Sequence, residues 1–410
     1  MNCRNCGETL NQVVCDLVSA PMSNSYLSVA ELDGPEIYYP LSVYVCTHCW
    51  LMQIEDYQKS QEIFGEDYRY YSSYSSLWLK HAEEYVNKII PLLGLTSSSK
   101  VMEIASNDGY LLQFFKRRDV PCFGVDPAKG PATKAEEKGI ETVCEFFTTT
   151  LAEELVRKKG LQDLIIGNNV LAHVPDINNF VASLALVLSP HGTVTLEFPH
   201  LLELICENQF DTIYHEHYFY LSLTTVHSIF SKHGLRIYDV EKLSTHGGSL
   251  RVYACHTNDT SHPTERAVSL IINEEQRTGL FEILTYHAFQ ERVDQIRINF
   301  LQFLLEQRAS GKRIVGYGAA AKGNTLLNYC GIKGTTYIEY VADASPFKQG
   351  FYLPGSRIPI VDSERIFIDK PDYVIIFPWN LKTEIMKQLA GIREWGGQFV
   401  LVIPSLKVLP

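Results

Sequence analysis

Val101-Met102-Glu103-Ile104-Ala105-Ser106-Asn107-Asp108-Gly109 reads as an apolar strand that ends in a polar turn and runs straight into a helical pattern from Tyr110 to Lys116. About twenty residues further on, Phe123-Gly124-Val125-Asp126-Pro127 is a second strand that ends in an acid. A carboxylate at the end of the second strand of an α/β unit is placed to accept both hydroxyls of an adenosine ribose. The turn lacks the G-x-G-x-x-G pattern that a dinucleotide's pyrophosphate requires, and Asp108 would repel phosphate while attracting a cation. The pattern therefore predicts a nucleoside ligand with positive charge and no phosphate, which S-adenosylmethionine satisfies. Glu103, Ala105, Asn107, Asp108, Gly109, Asp126 and Pro127 are its candidate contacts, joined by Asn168 and Asn169 from the end of a later strand.

Outward from this stretch, short apolar strands alternate with helical patterns: Cys122 to Asp126, Thr142 to Phe146, Leu164 to Asn168 and Thr193 to Phe198. That alternation marks βαβ units around a parallel sheet. After a helix at Thr224 to His233, the runs Leu235 to Leu243 and Ser249 to His256 lie too close for a crossover helix, so they read as an antiparallel pair closing the sheet. A polar helical bridge from about Thr264 to Gln307 leads into a second α/β pattern, with strands at Arg313 to Gly318, Tyr337 to Ala342, Tyr373 to Phe377 and Phe399 to Ile403, and a helix at Lys322 to Tyr329. The expected fold class is α/β: a central Rossmann-like core of the class I methyltransferase type over 76–258, a small N-terminal zinc-binding domain over 1–75, and a C-terminal α/β nucleotide-binding-like domain over 259–410.

A chain of 410 residues exceeds what one hydrophobic core organises. Its net charge of -11 opposes sequence-independent binding to nucleic acid, which depends on Lys and Arg neutralising phosphates. No apolar run is long enough to predict a membrane span, and the N-terminus lacks the basic and apolar regions of a secretory signal, so a cytoplasmic location is expected. Small molecules are the expected partners; a monomer is plausible, although the sequence does not address oligomeric state.

Cys3-x-x-Cys6 and Cys46-x-x-Cys49 each offer two thiolates from one tight knuckle, and two knuckles complete the all-sulfur shell of a structural Zn²⁺. Cys15 and His48 are possible substitute ligands. The remaining cysteines, dispersed singly, are expected to be buried reduced thiols.

Beyond the fifth strand, Glu197-Phe198-Pro199-His200 is followed by Phe210-Asp211-Thr212-Ile213-Tyr214-His215-Glu216-His217-Tyr218-Phe219-Tyr220, an unusual density of titratable and aromatic groups at the ligand-binding edge of the sheet. His173, His215 and His217 are expected at one rim. Glu216 beside His217 is suited to fixing its tautomer or taking a proton, and Tyr214 to donating a hydrogen bond to a developing oxyanion. His246-Gly247-Gly248-Ser249-Leu250-Arg251 adds another His and a flexible glycine pair. In the C-terminal pattern, the turn at Gly316-Tyr317-Gly318 opens a helix able to receive a diphosphate, with Lys322, Lys348 and Arg357 supplying positive charge.

Taken together, the four cysteines, Glu103 to Gly109, Tyr214-His215-Glu216-His217, His246 to Arg251 and Gly316 to Asn324 resemble the nucleotide-sugar C-3'-methyltransferases, three-domain enzymes that C-methylate 4-keto deoxyhexoses carried on a nucleoside diphosphate. The resemblance covers essentially the whole chain. It implies that His217 removes the proton from sugar C-3', that Tyr214, Glu216 and His173 line the same pocket, and that Tyr68, Tyr74, His246, Lys322 and Asn324 meet the sugar nucleotide, without naming the nucleotide or the hexose. A base with an ordinary imidazole pKa would make the rate fall as pH drops through about 6.5. The rival readings are an O- or N-methyltransferase on another metabolite, a zinc-containing regulatory protein, and an NAD-dependent oxidoreductase, which the missing third glycine at Gly316-x-Gly318 disfavours.

Overall fold

The computed structural model describes residues 1–57 and 71–410. Its centre is a seven-stranded sheet in the order Leu235–Leu243, Ser249–His256, Leu188–Pro199, Gln162–Asn168, Val101–Ile104, Cys122–Val125, Thr142–Val143. The last five strands in this order run parallel and the first two form the antiparallel edge. Val101–Ile104 is buried along its whole length, as a strand covered by helices on both faces must be. The chain order reverses between Val101–Ile104 and Gln162–Asn168, and at such a switch point the carboxyl ends of the strands open a crevice.

Two elements are shorter than their sequence patterns. The strand expected over 142–146 stops at Val143, because 145–148 bends across the mouth of that crevice. The helix expected from Tyr110 begins at Leu112, since Gly109 first takes a left-handed φ of 72° in a turn where a Cβ would stand 2.5 Å from Ile140 Cδ1.

A six-stranded C-terminal sheet runs Ile360–Asp362, Val341–Asp343, Ile314–Tyr317, Tyr373–Ile376, Gln398–Leu401, Lys407–Leu409, antiparallel only at its last strand. The strand expected at 337–342 is displaced toward the C-terminus, to Val341–Asp343. Two helices, Arg266–Arg277 and Ile283–Ala309, form the bridge from the central sheet.

The first helix of the bridge is anchored by Glu275, which is fully buried. Its carboxylate accepts from the backbone N–H of Leu223 (2.6 Å) and Thr224 (3.0 Å) at the start of helix Leu223–Lys232, and meets His200 Nε2 at 2.7 Å. Negative charge at a helix N-terminus is favourable, and here it also satisfies two of the N–H groups that the first turn leaves without an intrahelical partner. Glu275→Ala is expected to destabilise the fold by about 3 kcal/mol, read as a lower urea midpoint at unchanged slope.

The N-terminal segment builds a sheet of its own, Gln12–Ala20, Tyr39–Val45 and Met52–Ile54, which the sequence reading did not anticipate. Its fourth strand is Phe219–Tyr220, donated by the loop of the central core. Val14, Leu17, Val43 and Met52 then share one core with Phe289, Phe300 and Leu326 of the C-terminal part. Cys15 lies in that core, whereas Cys144 and Cys206 are exposed, contrary to the expectation for single thiols. Among the described residues no helix is long and apolar enough to cross a membrane.

Candidate active site

The crevice at the switch point opens into a cavity of ≈ 690 Å³, large enough for more than one small molecule, walled by all three parts of the chain. At the strand-end loop, Ala105 and Asn107 take positive φ, folding the loop tightly over the end of the second strand. Asp126 is 4% exposed and accepts from Asn107 N (2.8 Å) and Ala128 N (2.9 Å); burial still pushes its pKa up to about 6. Ala105, Asn107, Asp126, Pro127, Asn168 and Asn169 line the cavity.

Asn168 Oδ1 and Asn169 Oδ1 are buried without a hydrogen-bond partner among the described residues. Two orphaned acceptors beside a buried carboxylate fit a ligand that brings amine and hydroxyl donors and positive charge, as S-adenosylmethionine does. Asp108 has a different setting: it is buried against Lys138, whose Nζ lies 3.2 Å from its carboxylate, so its charge is answered within the protein. Glu103 sits inside the first strand, its pKa raised well above the ordinary range by burial and partly offset by the Tyr110 hydroxyl. Gly109 packs against Ile140 and Ala135.

Across the cavity lies the loop over 210–220. His217 directs Nδ1 to the carbonyl of Thr212 at 2.9 Å, so Nδ1 carries the proton and Nε2 keeps its lone pair. The tautomer is thus set by a backbone carbonyl and not, as expected, by Glu216. Tyr214 lies 4.0 Å from the His217 ring and His173 4.7 Å from it, centroid to centroid. His173 Nδ1 reaches the carbonyl of Glu216 at 2.7 Å, and Asn169 Nδ2 donates to His246 Nε2 at 3.1 Å.

Desolvation, reinforced by the neighbouring His173, holds the His217 pKa well below 6.5; burial likewise takes His173 and His246 down to about 4. The neutral imidazole therefore persists below pH 6.5, and the loss of rate expected at an ordinary histidine value moves to lower pH for this group. His215, expected at the same rim, points the other way: its Nε2 bonds the carbonyl of Pro40 at 3.1 Å and its ring meets Tyr39. The chain turns at His215 and Glu216, closed by the His217 N–H on the carbonyl of Tyr214 at 2.9 Å, and the turn separates His215 from His217, which continued alternation would have placed on one side.

The segment 246–251 contributes packing as well as an imidazole. Gly247 and Gly248 have φ of 91° and 117°, and a Cβ on Gly247 would come within 2.3 Å of the Trp379 ring. The pair is fixed by close packing, not flexible. Arg251 is buried on Glu197, with Nε 2.8 Å from Oε1, and His81 meets the same carboxylate at 2.8 Å while stacking on Trp78, a cavity-lining residue.

From the C-terminal part, Lys322 and Lys348 line the cavity with Ala320 and Ala321. Lys322 Nζ donates to Asn380 Oδ1 (3.0 Å) above the Trp379 ring; burial lowers its pKa to about 8, against the opposing pull of Asp211. Lys348 Nζ donates to the carbonyl of Ala319 at 2.8 Å. Asn324 is buried within its helix, and Arg357 lies outside the cavity, donating to the carbonyls of Leu32 and Gly34 and so tying the N-terminal segment to the C-terminal sheet. Tyr74 is 65% exposed, against Phe347. Tyr68 lies outside the described residues. Asn24 and Trp78 also line the cavity and were not anticipated; neither belongs to a local pattern that could have marked it.

At the far N-terminus, Cys3-x-x-Cys6 and Cys46-x-x-Cys49 form matching knuckles, each closed by a left-handed residue, Gly7 and Trp50. The Sγ pairs Cys3–Cys49 and Cys6–Cys46 are 3.5 Å apart and all four lie within 4.8 Å. Tetrahedral Zn–S bonds of about 2.3 Å imply sulfurs about 3.8 Å apart, so the donor set fits zinc without Cys15 or His48. Gln53 Nε2 donates to Cys3 Sγ at 3.2 Å, an outer-shell bond of the kind that orients such ligands.

Family models match three successive stretches: the family described as "Putative zinc binding domain" over residues 3–64, "Methyltransferase domain" over 78–240, and "C-methyltransferase C-terminal domain" over 244–404. Fold, cavity and domain matches define an S-adenosylmethionine-dependent methyltransferase. Over 407 residues the chain is 36% identical to the C-methyltransferase NovU of Streptomyces niveus, covering 99% of this chain and 96% of that one. It belongs to that C-methyltransferase family. A ubiquinone biosynthesis O-methyltransferase of Escherichia coli O7:K1 is 25% identical over 157 residues, 35% of this chain and 65% of that one. A magnesium protoporphyrin IX methyltransferase structure from Synechocystis, solved with bound cofactor, matches 48% of this chain and 89% of its own at 15% identity and a TM-score of 0.34.

Proposed function

We propose that this enzyme transfers a methyl group to C-3' of a nucleoside-diphospho-4-keto-6-deoxyhexose. The observation that carries the reading is the placement of His217: Nδ1 lies 2.9 Å from the Thr212 carbonyl, which leaves Nε2 with its lone pair, and the residue lines the same cavity as Asp126, Asn168 and Asn169, where burial holds its pKa low. A 4-keto group acidifies the neighbouring C-3 hydrogen. His217 Nε2 accepts that proton, the electron pair of the broken C–H bond passes into an enolate, and Tyr214 donates to its oxygen. Bound in this cavity, S-adenosylmethionine would supply the methyl electrophile, the new C–C bond at C-3 forming as the S–CH3 bond breaks and the sulfur departs as a neutral thioether.

Asp126 would accept the ribose hydroxyls of that cofactor, and Asn168 and Asn169 its amine. Ala320 to Lys322, at a helix N-terminus, and Lys348 would receive the diphosphate. The domain limits at 75 and 258 are part of the same proposal. Asp126→Ala is expected to weaken cofactor binding by about 10- to 100-fold in calorimetry, the loss of a charge-assisted bidentate contact of roughly 1.5–3 kcal/mol.

Incubation with labelled cofactor and a panel of nucleoside-diphospho-4-keto-6-deoxyhexoses, followed by mass spectrometry, tests the substrate. One member should gain a single methyl group on carbon and, without cofactor, exchange deuterium from solvent at C-3. Methylation at oxygen, or no exchange with any member, would overturn the reading.

A further inference from the structure

We propose that Asn24, carried by the N-terminal segment, is a positioning residue for methyl transfer: its side-chain amide fixes the direction of the Glu216 carboxyl and holds it as the carboxylate during turnover. The inference rests on the reading of His217 as the base.

Glu216 lines the cavity and is only 5% exposed, and its Oε1 accepts from Asn24 Nδ2 at 2.7 Å. No second donor reaches this carboxyl among the described residues. Asn24 is open to the cavity but not loose. Two residues on, the Tyr26 hydroxyl donates to the carbonyl of Ala319 at 2.8 Å and lies 3.3 Å from Asn24 Oδ1, and Leu27 exchanges backbone hydrogen bonds with Tyr352 at 2.9 and 2.8 Å. The amide is therefore held by the C-terminal part, while the carboxyl it addresses belongs to the central core. The titratable groups around Glu216 are His215 and His217 beside it in sequence, His173 on its carbonyl, and Tyr26 and Lys348 behind Asn24.

A donor to a charged acceptor forms a stronger bond than a donor to a neutral one, so Asn24 favours the ionised carboxyl. Burial acts in the opposite sense and raises the Glu216 pKa to about 7. The two effects together leave this group titrating near neutrality. When His217 takes the C-3 proton, an imidazolium forms in a desolvated cavity, and a carboxylate in that cavity offsets its charge as the neutral acid cannot. With His217 already neutral, the rising limb of kcat/KM near pH 7 belongs to Glu216: activity is present above the pKa of that carboxyl and lost as pH falls through it.

The test uses the full-length, zinc-loaded enzyme as native, N24L, E216Q and N24L/E216Q forms. Carboxyl titration is followed by pH-difference infrared spectroscopy with E216Q as the blank, and kcat and KM are measured against pH. Losing one charge-assisted donor should raise the Glu216 midpoint and the kinetic limb together by about 1–2 pH units in N24L. Correspondingly, kcat at pH 7 should fall roughly tenfold with KM for the cofactor within about twofold, and adding N24L to E216Q should change nothing further. Coincident native and N24L midpoints overturn the inference. A shifted infrared midpoint, in an enzyme that methylates no ketosugar, retains the inference about Asn24 and removes the sugar reading instead.

Discussion

His217→Ala is expected to lower kcat roughly 10³-fold, within the range general-base catalysis contributes, while calorimetric cofactor affinity stays within about twofold. The separation follows from geometry. His217 hangs from the 210–220 loop by its bond to Thr212 and packs on Tyr214 and His173, whereas Asp126 and the strand-end loop lie on the opposite wall. Deuterium exchange at sugar C-3 should stop in the same variant, and added free imidazole should restore part of it, because the alanine leaves room for a small base. Exchange continuing at the native rate would assign the proton to another group, with His173 the neighbouring imidazole at 4.7 Å, centroid to centroid.

The second large effect concerns the four cysteines. Cys46→Ser is expected to abolish zinc binding and reduce methyl transfer by more than about tenfold, although no cysteine of the cluster lines the cavity. The cause is mechanical: the knuckle at Cys46 to Cys49 leads directly into Met52–Ile54, which pairs with Phe219–Tyr220 just beyond His217. Replacing zinc by cadmium should keep kcat within about twofold, because four thiolates leave no open coordination position for chemistry. Zinc content by elemental analysis, with limited proteolysis of the N-terminal sheet, reads the first effect. A cadmium enzyme without activity would mean that the metal does more than fold the segment.

The sequence made the central sheet readable because its information is local. A strand of Val and Ile ending in a polar turn, followed by a strand ending in Asp126, is a pattern within about 25 residues, as is the cysteine knuckle. The density of rings at 214–220 marked the opposite wall in the same way. What stayed hidden was which way a side chain turns and what distant chain it meets. Asp108 and Asn107 are adjacent, yet one is tied to Lys138 and the other lines the cavity. Arg357 carries the charge a diphosphate needs, but its guanidinium serves the carbonyls of Leu32 and Gly34, 323 or more residues away. Asn24 is separated from Glu216 by 192 positions. No periodicity encodes such pairings; they emerge only when the N-terminal sheet is seated between the other two.

The strand exchange at residues 219–220 also bears on how this enzyme can be divided or recombined. A fragment starting at residue 76 would hold every strand of the central sheet, yet leave the backbone of Phe219 and Tyr220 without its ladder and the loop ahead of it without a fixed end. Chimaeras that trade substrate preference between relatives must therefore move the N-terminal sheet, whose strands run from Gln12 to Ile54, together with the core it clasps, since a graft that respects only the sequence borders would cut through a hydrogen-bonded sheet.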